Sequence, residues 1–566
     1  MFKRIAAIFV VVVMLVALLA ACDSTPAETQ PEDPPANEEV TTPAEDPPED
    51  PAEDPEEPEE PAVDGFAGYP MNAMDQTLTF YTWQPFGFPD TLTTWEESPF
   101  LTGLNEAVGV NIEWIFPVAG AADQLQDLNL MIASGDLPDI IANGVIMPDA
   151  EILMDEGVIR DLAPYLAAYA PNYYAFLQEH NDRRLAMTTD TGRVFGFGMF
   201  REGGGWADTH QGPLVRQDWL DAHDLPLPTT ISDWDNTLEV FTEYYSAPLA
   251  MFWARFNVNS FVAGAFGAQG STQYRLFIDR ATDTVQLAQV QPEWRDYIEH
   301  MNMWWNNGWI NQDLLTLADA DIRTLAANDD VGLSLSALSQ ITLWTLDAEE
   351  AGSPAHWVAA PFPTADDGSI SSVTGGQGIT TFAATITNSV DDDRLELAMR
   401  VLDFAFSPEG HIYWNYGIEG VSWEMVNGEP QFSDYLINHP EGINEAMQRY
   451  VGTIWAAPAV QATNVIVARN HPVAIEANDL WFYTHPEVAI QFGLPRGMAL
   501  NAQESMRAGE IEGAIQTYVN EMAVQFLTGA VSIDEFDSFV ENVMNMGLEE
   551  LLALYQAAYE RFLARS

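Results

Sequence analysis

From Asp23 to Val63 the chain carries 16 acidic residues, no basic ones and repeated prolines, as in Pro47-Pro48-Glu49-Asp50-Pro51. Like charges repel and proline stiffens the backbone, so this stretch buries no core and reads as an extended stalk. Whatever folds lies beyond it, from Gly65 to Ser566. That remainder, about 500 residues rich in Trp, Phe and Tyr, is too long for a single core, and at least two lobes are expected.

The charge of the remainder narrows its partners. Setting aside Lys3, Arg4 and the 17 acids from Asp23 to Asp64 leaves 68 acidic against 19 basic residues, a net of −49. Nucleic acid is excluded as a partner, because phosphate contacts need a basic surface. Lys3 is the only lysine, so every fixed side-chain cation beyond the first few residues is an arginine.

Ahead of the stalk, Lys3-Arg4 precedes an apolar run from Ile5 to Ala21, the order of an export signal. The run is about long enough to cross a bilayer, and the alternative reading is an uncleaved anchor. It ends in Leu19-Ala20-Ala21-Cys22, which resembles a lipobox, where the cysteine is diacylated and becomes the mature amino terminus. Cys22 is the only cysteine, so no intramolecular disulfide is possible, and a diacylated Cys22 would tether the protein to the outer face of the cell membrane. The expected division is therefore a lipoprotein signal peptide over 1–21, the stalk over 22–64 and the folded part over 65–566.

Past the stalk, Thr77 to Trp83 alternates and favours β structure, Ser98 to Val108 reads as a helix stopped by Gly109, and Val110 to Phe116 reads as a second strand. Ala122 to Ser134 has helical spacing and leads through Gly135-Asp136-Leu137-Pro138 to a buried strand at Ile140-Ile141. This βαβ alternation predicts α/β lobes with largely parallel sheets.

Six segments then carry a family resemblance. Leu130 to Ile141, with Pro138-Asp139, is similar to the "asgdlPDii" segment of family 1 extracellular solute-binding proteins, and especially of the large oligosaccharide-binding lipoproteins. Gly192-Arg-Val-Phe195-Gly196, Arg216-Gln-Asp218-Trp219-Leu220 and Leu227-Pro228-Thr229 to Trp234 continue the family's order, although Phe195 replaces the usual Tyr and Phe197-Gly198 stands where Pro is common. Ser407-Pro-Glu409-Gly410 with Asn415-Tyr416-Gly417-Ile-Glu419-Gly420, and the helices ending at Phe562, complete it. The resemblance implies an α/β, two-lobe, periplasmic-binding-protein-like fold with the ligand cleft between the lobes. By analogy the first lobe takes about 75–203 and a return segment after about 374, and the second about 205–371 with the carboxyl-terminal helices. Gly203-Gly204-Gly205 and Gly375-Gly376 suit hinges, or plain surface loops. The function implied is capture of an oligosaccharide and delivery to the permease of an ABC transporter, as a monomer with no cofactor.

A sugar site needs aromatic platforms for the CH faces of the rings and carboxylates, amides or Arg for the hydroxyls. The candidates are Trp83 at the end of the first strand, Trp206 after the first glycine cluster, and Trp253, Trp414 and Tyr416; beside them stand Asp139, Arg216, Gln377 and Glu419. Each has a structural reading too: the aromatics as core, Asp139 as turn geometry, Arg216 as an ion pair with Asp218, Glu419 as a turn cap. An acidic sugar would need an Arg clamp, for which Arg201 and Arg216 are placed, but the net charge favours a neutral ligand.

No Gly-x-Ser-x-Gly, His-Glu-x-x-His, Walker loop or helix-opening Gly-x-Gly-x-x-Gly occurs. The competing function is an exported glycoside hydrolase working through two carboxylates, which counting cannot exclude among so many acids. Asp391-Asp392-Asp393 reads as the start of a helix rather than a calcium site.

Overall fold

Strand β1 (Ala73–Thr82) opens the fold, and its last residues Leu78, Phe80, Tyr81 and Thr82 are buried, as a central strand of an α/β sheet requires. The computed structural model describes residues 68–82, 97–116, 121–142, 150–209, 211–246, 248–251, 262–270, 273–371, 379–454, 458–485 and 493–565. All lie in one unit, Pro58–Ser566.

The helix Pro99–Val108 begins with proline in its first turn, where no N–H partner is needed, and ends at Gly109 with φ 74°. A Cβ at Gly109 would come within 2.7 Å of the Met71 nitrogen, so both conformation and space demand glycine there. Strand β2 (Val110–Ile115) pairs parallel to β1 on one side; after the helix Ala121–Ser134, β3 (Ile140–Ala142) pairs parallel on the other. The βαβ units read from the sequence are present. Asp391 caps the helix Asp392–Asp403 by accepting from the Arg394 amide, so the acidic triplet is a helix start.

The chain leaves this layer through β4 (Phe197–Arg201) and enters a second through β5 (Gln211–Arg216). There β6 (Leu333–Ala337) and β7 (Trp357–Ala359) flank β5, both antiparallel to it. The chain returns in β8 (Ile379–Ile386), antiparallel to β3 and β4, and then β9 (Ala459–Gln461), parallel to β4. The first sheet runs β9-β4-β8-β3-β1-β2 and the second β6-β5-β7. The second sheet corrects the expectation of largely parallel pairing. Strand β5 arrives from the other lobe and starts at the crossing, so it runs against the strands its own lobe supplies.

Two cores result. One takes Leu78 to Phe200 and Ile379 to Val465; the other takes Leu214 to Phe362 and Ala474 to Tyr559, including the long helix Ala502–Thr528 and the last helix Leu548–Ala564. The second core is built on indoles: Trp234, Trp294, Trp304 and Trp481 are fully buried, each contributing very roughly 1.5–3 kcal/mol by burial. Trp481 lies on the backbone of Gly212, where a Cβ would fall 2.3 Å from the ring.

The lobes also meet away from the strand crossings. Asp190, on a turn of the first lobe, pairs with Arg561 at 2.7 Å and Arg565 at 3.1 Å, both on or just past the last helix. Arg565 further donates to the carbonyls of Thr188 (2.6 Å), Thr189 (2.8 Å) and Gly497 (2.7 Å). Gly497, with φ +84°, packs so tightly on Leu185 that a Cβ would sit 2.2 Å from its carbonyl oxygen.

Candidate functional site at the lobe crossing

Two crossings run side by side. After β4, Gly203 (φ 78°) and Gly204 (φ 54°) turn the chain through conformations that side chains resist, into the short helix Gly205–Asp208. The second crossing follows β9 through the helix Thr463–Ala468 to the helix Pro472–Thr484. Backbone and side chain tie them together: the Glu202 amide donates to the Gln461 carbonyl at 2.9 Å, and the Thr463 amide donates to the Glu202 carboxylate at 3.1 Å.

At the carboxyl ends of β4 and β9, where α/β sheets bind ligands, a cavity of about 520 Å³ opens. Arg201, Glu202 and Gly203 form one wall, and Phe176, His180 and Arg183 another. Phe406, Ser407 and His411 line it as well. Phe176 stacks on His180 with centroids 4.5 Å apart, and the Arg183 guanidinium lies 5.9 Å from the Phe176 centroid. Burial pushes the His411 imidazole below its ordinary value, with the charge of Glu202, 3.6 Å away, opposing the shift. Burial therefore favours the neutral form of His411. Beside Arg201 stands Arg469, just past the helix Thr463–Ala468 and half-buried; desolvation lowers its pKa, and the charge of Arg201 acts in the same direction. Aromatic surface, neutral imidazole and fixed cations together suit a ligand of hydroxylated rings. Among the described residues no cluster of three or more His, Cys, Asp or Glu is arranged to hold a metal.

Most of the candidates read from the sequence lie elsewhere. Trp83, Trp253, Gln377, the Gly375-Gly376 pair and the lipidation site Cys22 fall outside the described residues. Trp206 does sit at the crossing, but only 8% exposed: its Nε1 donates to Asp479 at 2.7 Å and it packs with Ile466, Ile475 and Phe482, a wedge rather than an open platform. Trp414 is core of the first lobe, edge-on to Phe100 at 5.0 Å, with Gly452 pressed on its ring. Tyr416 is buried against Phe432 and its hydroxyl accepts from Asn464 at 3.2 Å.

The polar candidates divide likewise. Asp139 takes both the amide (2.8 Å) and hydroxyl (3.1 Å) of Thr79 and pairs with Arg394 at 2.9 Å, so its carboxylate holds the sheet together. Arg216 is 1% exposed, forked on Asp218 at 2.8 and 2.6 Å, bound to Asp329 at 2.7 Å and flanked by the rings of Trp219 and Trp357. With its forks occupied it is a structural ion pair, not a hydroxyl clamp. Glu419 stays on an exposed turn before the strand Trp423–Val426. Arg201, weighed from the sequence as a clamp, is the one that faces the cavity. His180, Arg183, His411 and Arg469 were missed, and His411 alone had a signal, one position past the Ser407-Pro-Glu-Gly segment.

The fold is the two-lobe, periplasmic-binding-protein-like fold of solute-binding proteins. The structure of FusA of Streptococcus pneumoniae in complex with kestose matches with a TM-score of 0.69 at 19% identity, covering 87% of this chain and 100% of that one. That of the alginate-binding protein AlgQ2 gives 0.68 at 20% identity over 86% and 98%. In sequence, the fructooligosaccharide ABC transporter substrate-binding protein FusA is 31% identical over 150 residues, 26% of this chain and only 27% of that protein's length. The polygalacturonan/rhamnogalacturonan-binding protein YtcQ of Bacillus subtilis is 20% identical over 460 residues, 80% of this chain and 86% of that one. No protein-family model matches the sequence. These relatives are binding proteins, in agreement with the family 1 resemblance carried by the motifs.

Proposed function

We propose that this chain is the extracellular capture subunit of a carbohydrate ABC importer, holding an oligosaccharide between its lobes and presenting it to the permease. The cavity beside the crossing carries this reading, since it joins ring faces to hydrogen-bonding groups on the first lobe, next to the strands that lead to the second. The names of FusA, YtcQ and AlgQ2 all specify carbohydrate binding, which supports binding without catalysis. The protein works as a monomer, anchored through a diacylated Cys22 and lifted from the membrane by the acidic stalk.

The test has two parts. Full-length protein stays with the membrane fraction and a Cys22→Ser form is released; equal retention ends the anchor. The released form, screened by thermal shift and calorimetry against neutral and uronic oligosaccharides, melts several degrees higher with a bound sugar, since a ligand at 100 times its Kd adds about 2.7 kcal/mol. Absence of any stabilising sugar overturns the reading, and steady release of new reducing ends from a bound sugar moves it to a glycoside hydrolase.

A further inference from the structure

This inference rests on the oligosaccharide reading and concerns one carboxylate of the cavity. Glu202 directly follows β4 on the first crossing and its side chain lines the cavity. Its carboxylate also reaches the second crossing, where Oε2 accepts from the Thr463 amide at 3.1 Å. Thr463 opens the helix Thr463–Ala468, and the residue before it, Ala462, has no side-chain acceptor to offer. The carboxylate thus supplies from the other crossing what a capping side chain ordinarily supplies from within. The Ala462 amide is held in the same way, by Asn415 Oδ1 at 2.8 Å. His411 lies between the two holders: its Nε2 is 3.6 Å from Glu202 Oε1 and its Nδ1 is 3.4 Å from Asn415 Nδ2.

That contact sets the tautomer. Asn415 Nδ2 only donates, so His411 Nδ1 accepts and the neutral ring carries its proton on Nε2, towards Glu202. At 3.6 Å this N–H and the carboxylate oxygen are too far apart to bond directly, and one oxygen atom placed between them reaches both. Such an oxygen must accept from an N–H and donate to a carboxylate. A sugar hydroxyl does both, whereas an ether or glycosidic oxygen only accepts. The side chains of Glu202 and His411 are 45% and 32% exposed, so the hydroxyl enters from solvent, and Phe176 and Phe406 offer ring faces in the same cavity. We infer that Glu202 and His411 together bind one hydroxyl of the sugar, and that Glu202 carries its arrival to the second crossing through the Thr463 amide. A hydroxyl on Oε1 fixes the carboxylate and so firms the bond that Oε2 accepts. Without it the carboxylate is free to turn towards His411 and slacken that bond.

Thr463→Pro isolates the link. Proline suits the first position of a helix, Ala462 before it is already extended (φ −70°, ψ 142°), and the change removes the donor to Glu202. In the Cys22→Ser protein without sugar, the His411 imidazole is followed by NMR across pH. Its midpoint is expected to fall in Glu202→Gln, which removes the neighbouring charge, and to rise in Thr463→Pro, which frees that charge to approach the ring. His180, Arg183 and Arg201, which also line the cavity, are the same in both variants. An unmoved midpoint in either variant overturns the sharing of the carboxylate. Kestose, cellotriose and trigalacturonate are then titrated by calorimetry. Glu202→Gln is expected to weaken whichever binds by about tenfold or more. Thr463→Pro leaves affinity nearly unchanged and abolishes the narrowing, on adding that sugar, of the distances between spin labels on the two lobes. Undiminished affinity in Glu202→Gln, or undiminished narrowing in Thr463→Pro, overturns the inference and leaves the importer reading standing. Binding of none of the three sugars by the Cys22→Ser protein defeats both.

Discussion

Arg216 and Asp403 show how differently two buried ionic groups act on stability. Burial pushes the Asp218 carboxyl up, but the Arg216 hydrogen bonds, the His356 amide and the Arg216 charge outweigh it and hold the carboxyl below its usual value. A depressed carboxylate contributes stability that is full above its ordinary value and is lost as pH falls from there through the lowered folded value. Arg216→Gln leaves Asp218 and Asp329 without their cation at a buried fork, and a loss of about 3 kcal/mol is expected in urea melts at pH 7, with sugar binding by the folded fraction unchanged. Asp403 goes the other way. Desolvation raises it to about 6, against hydrogen bonds from the Tyr173 amide and Asn172, both at 2.7 Å. Its folded pKa lies above the unfolded value, so its contribution is full below about pH 4 and is lost as pH rises to about 6. Relative to Asp403→Asn, the native protein should therefore lose about 3 kcal/mol between pH 4 and pH 7. Parallel pH dependences of the two proteins would refute the raised carboxyl.

Elements of the first lobe were legible in the sequence because local signals and tertiary packing agree there. Gly109 stops a helix, Thr77 to Thr82 alternates, and Asp391 caps, each by chemistry contained within a few residues. The direction of β5 was not legible, since it is set by where the chain comes from rather than by its own residues. Nor was most of the site. Trp414 and Tyr416 stand in a family-like segment and look like platforms, but exposure is decided by partners distant in sequence such as Phe100 and Asn464. Arg469, beside Arg201 in space, has no local mark at all in the sequence.

At the scale of the molecule, the lobes hold each other, among the described residues, at the strand crossings and at the cluster of Asp190, Arg561 and Arg565. The side chains of the cluster are 14–33% exposed, so the ion pairs add little to overall stability, on the order of 1 kcal/mol. Their effect is on geometry. Asp190→Asn is expected to broaden the distribution of distances between spin labels placed on the two lobes, with the melting temperature nearly unchanged; an unaltered distribution would show that the crossings alone align them.

Two points fix a line. A body attached to another at one place can tilt in every direction, whereas one attached at two can only swing about the axis through both. While Arg565 keeps its grip on the Thr188 and Thr189 carbonyls, the last helix of the chain, far from Arg201 in sequence, adds a second hold to that of the crossings and so narrows the ways in which one lobe can move against the other.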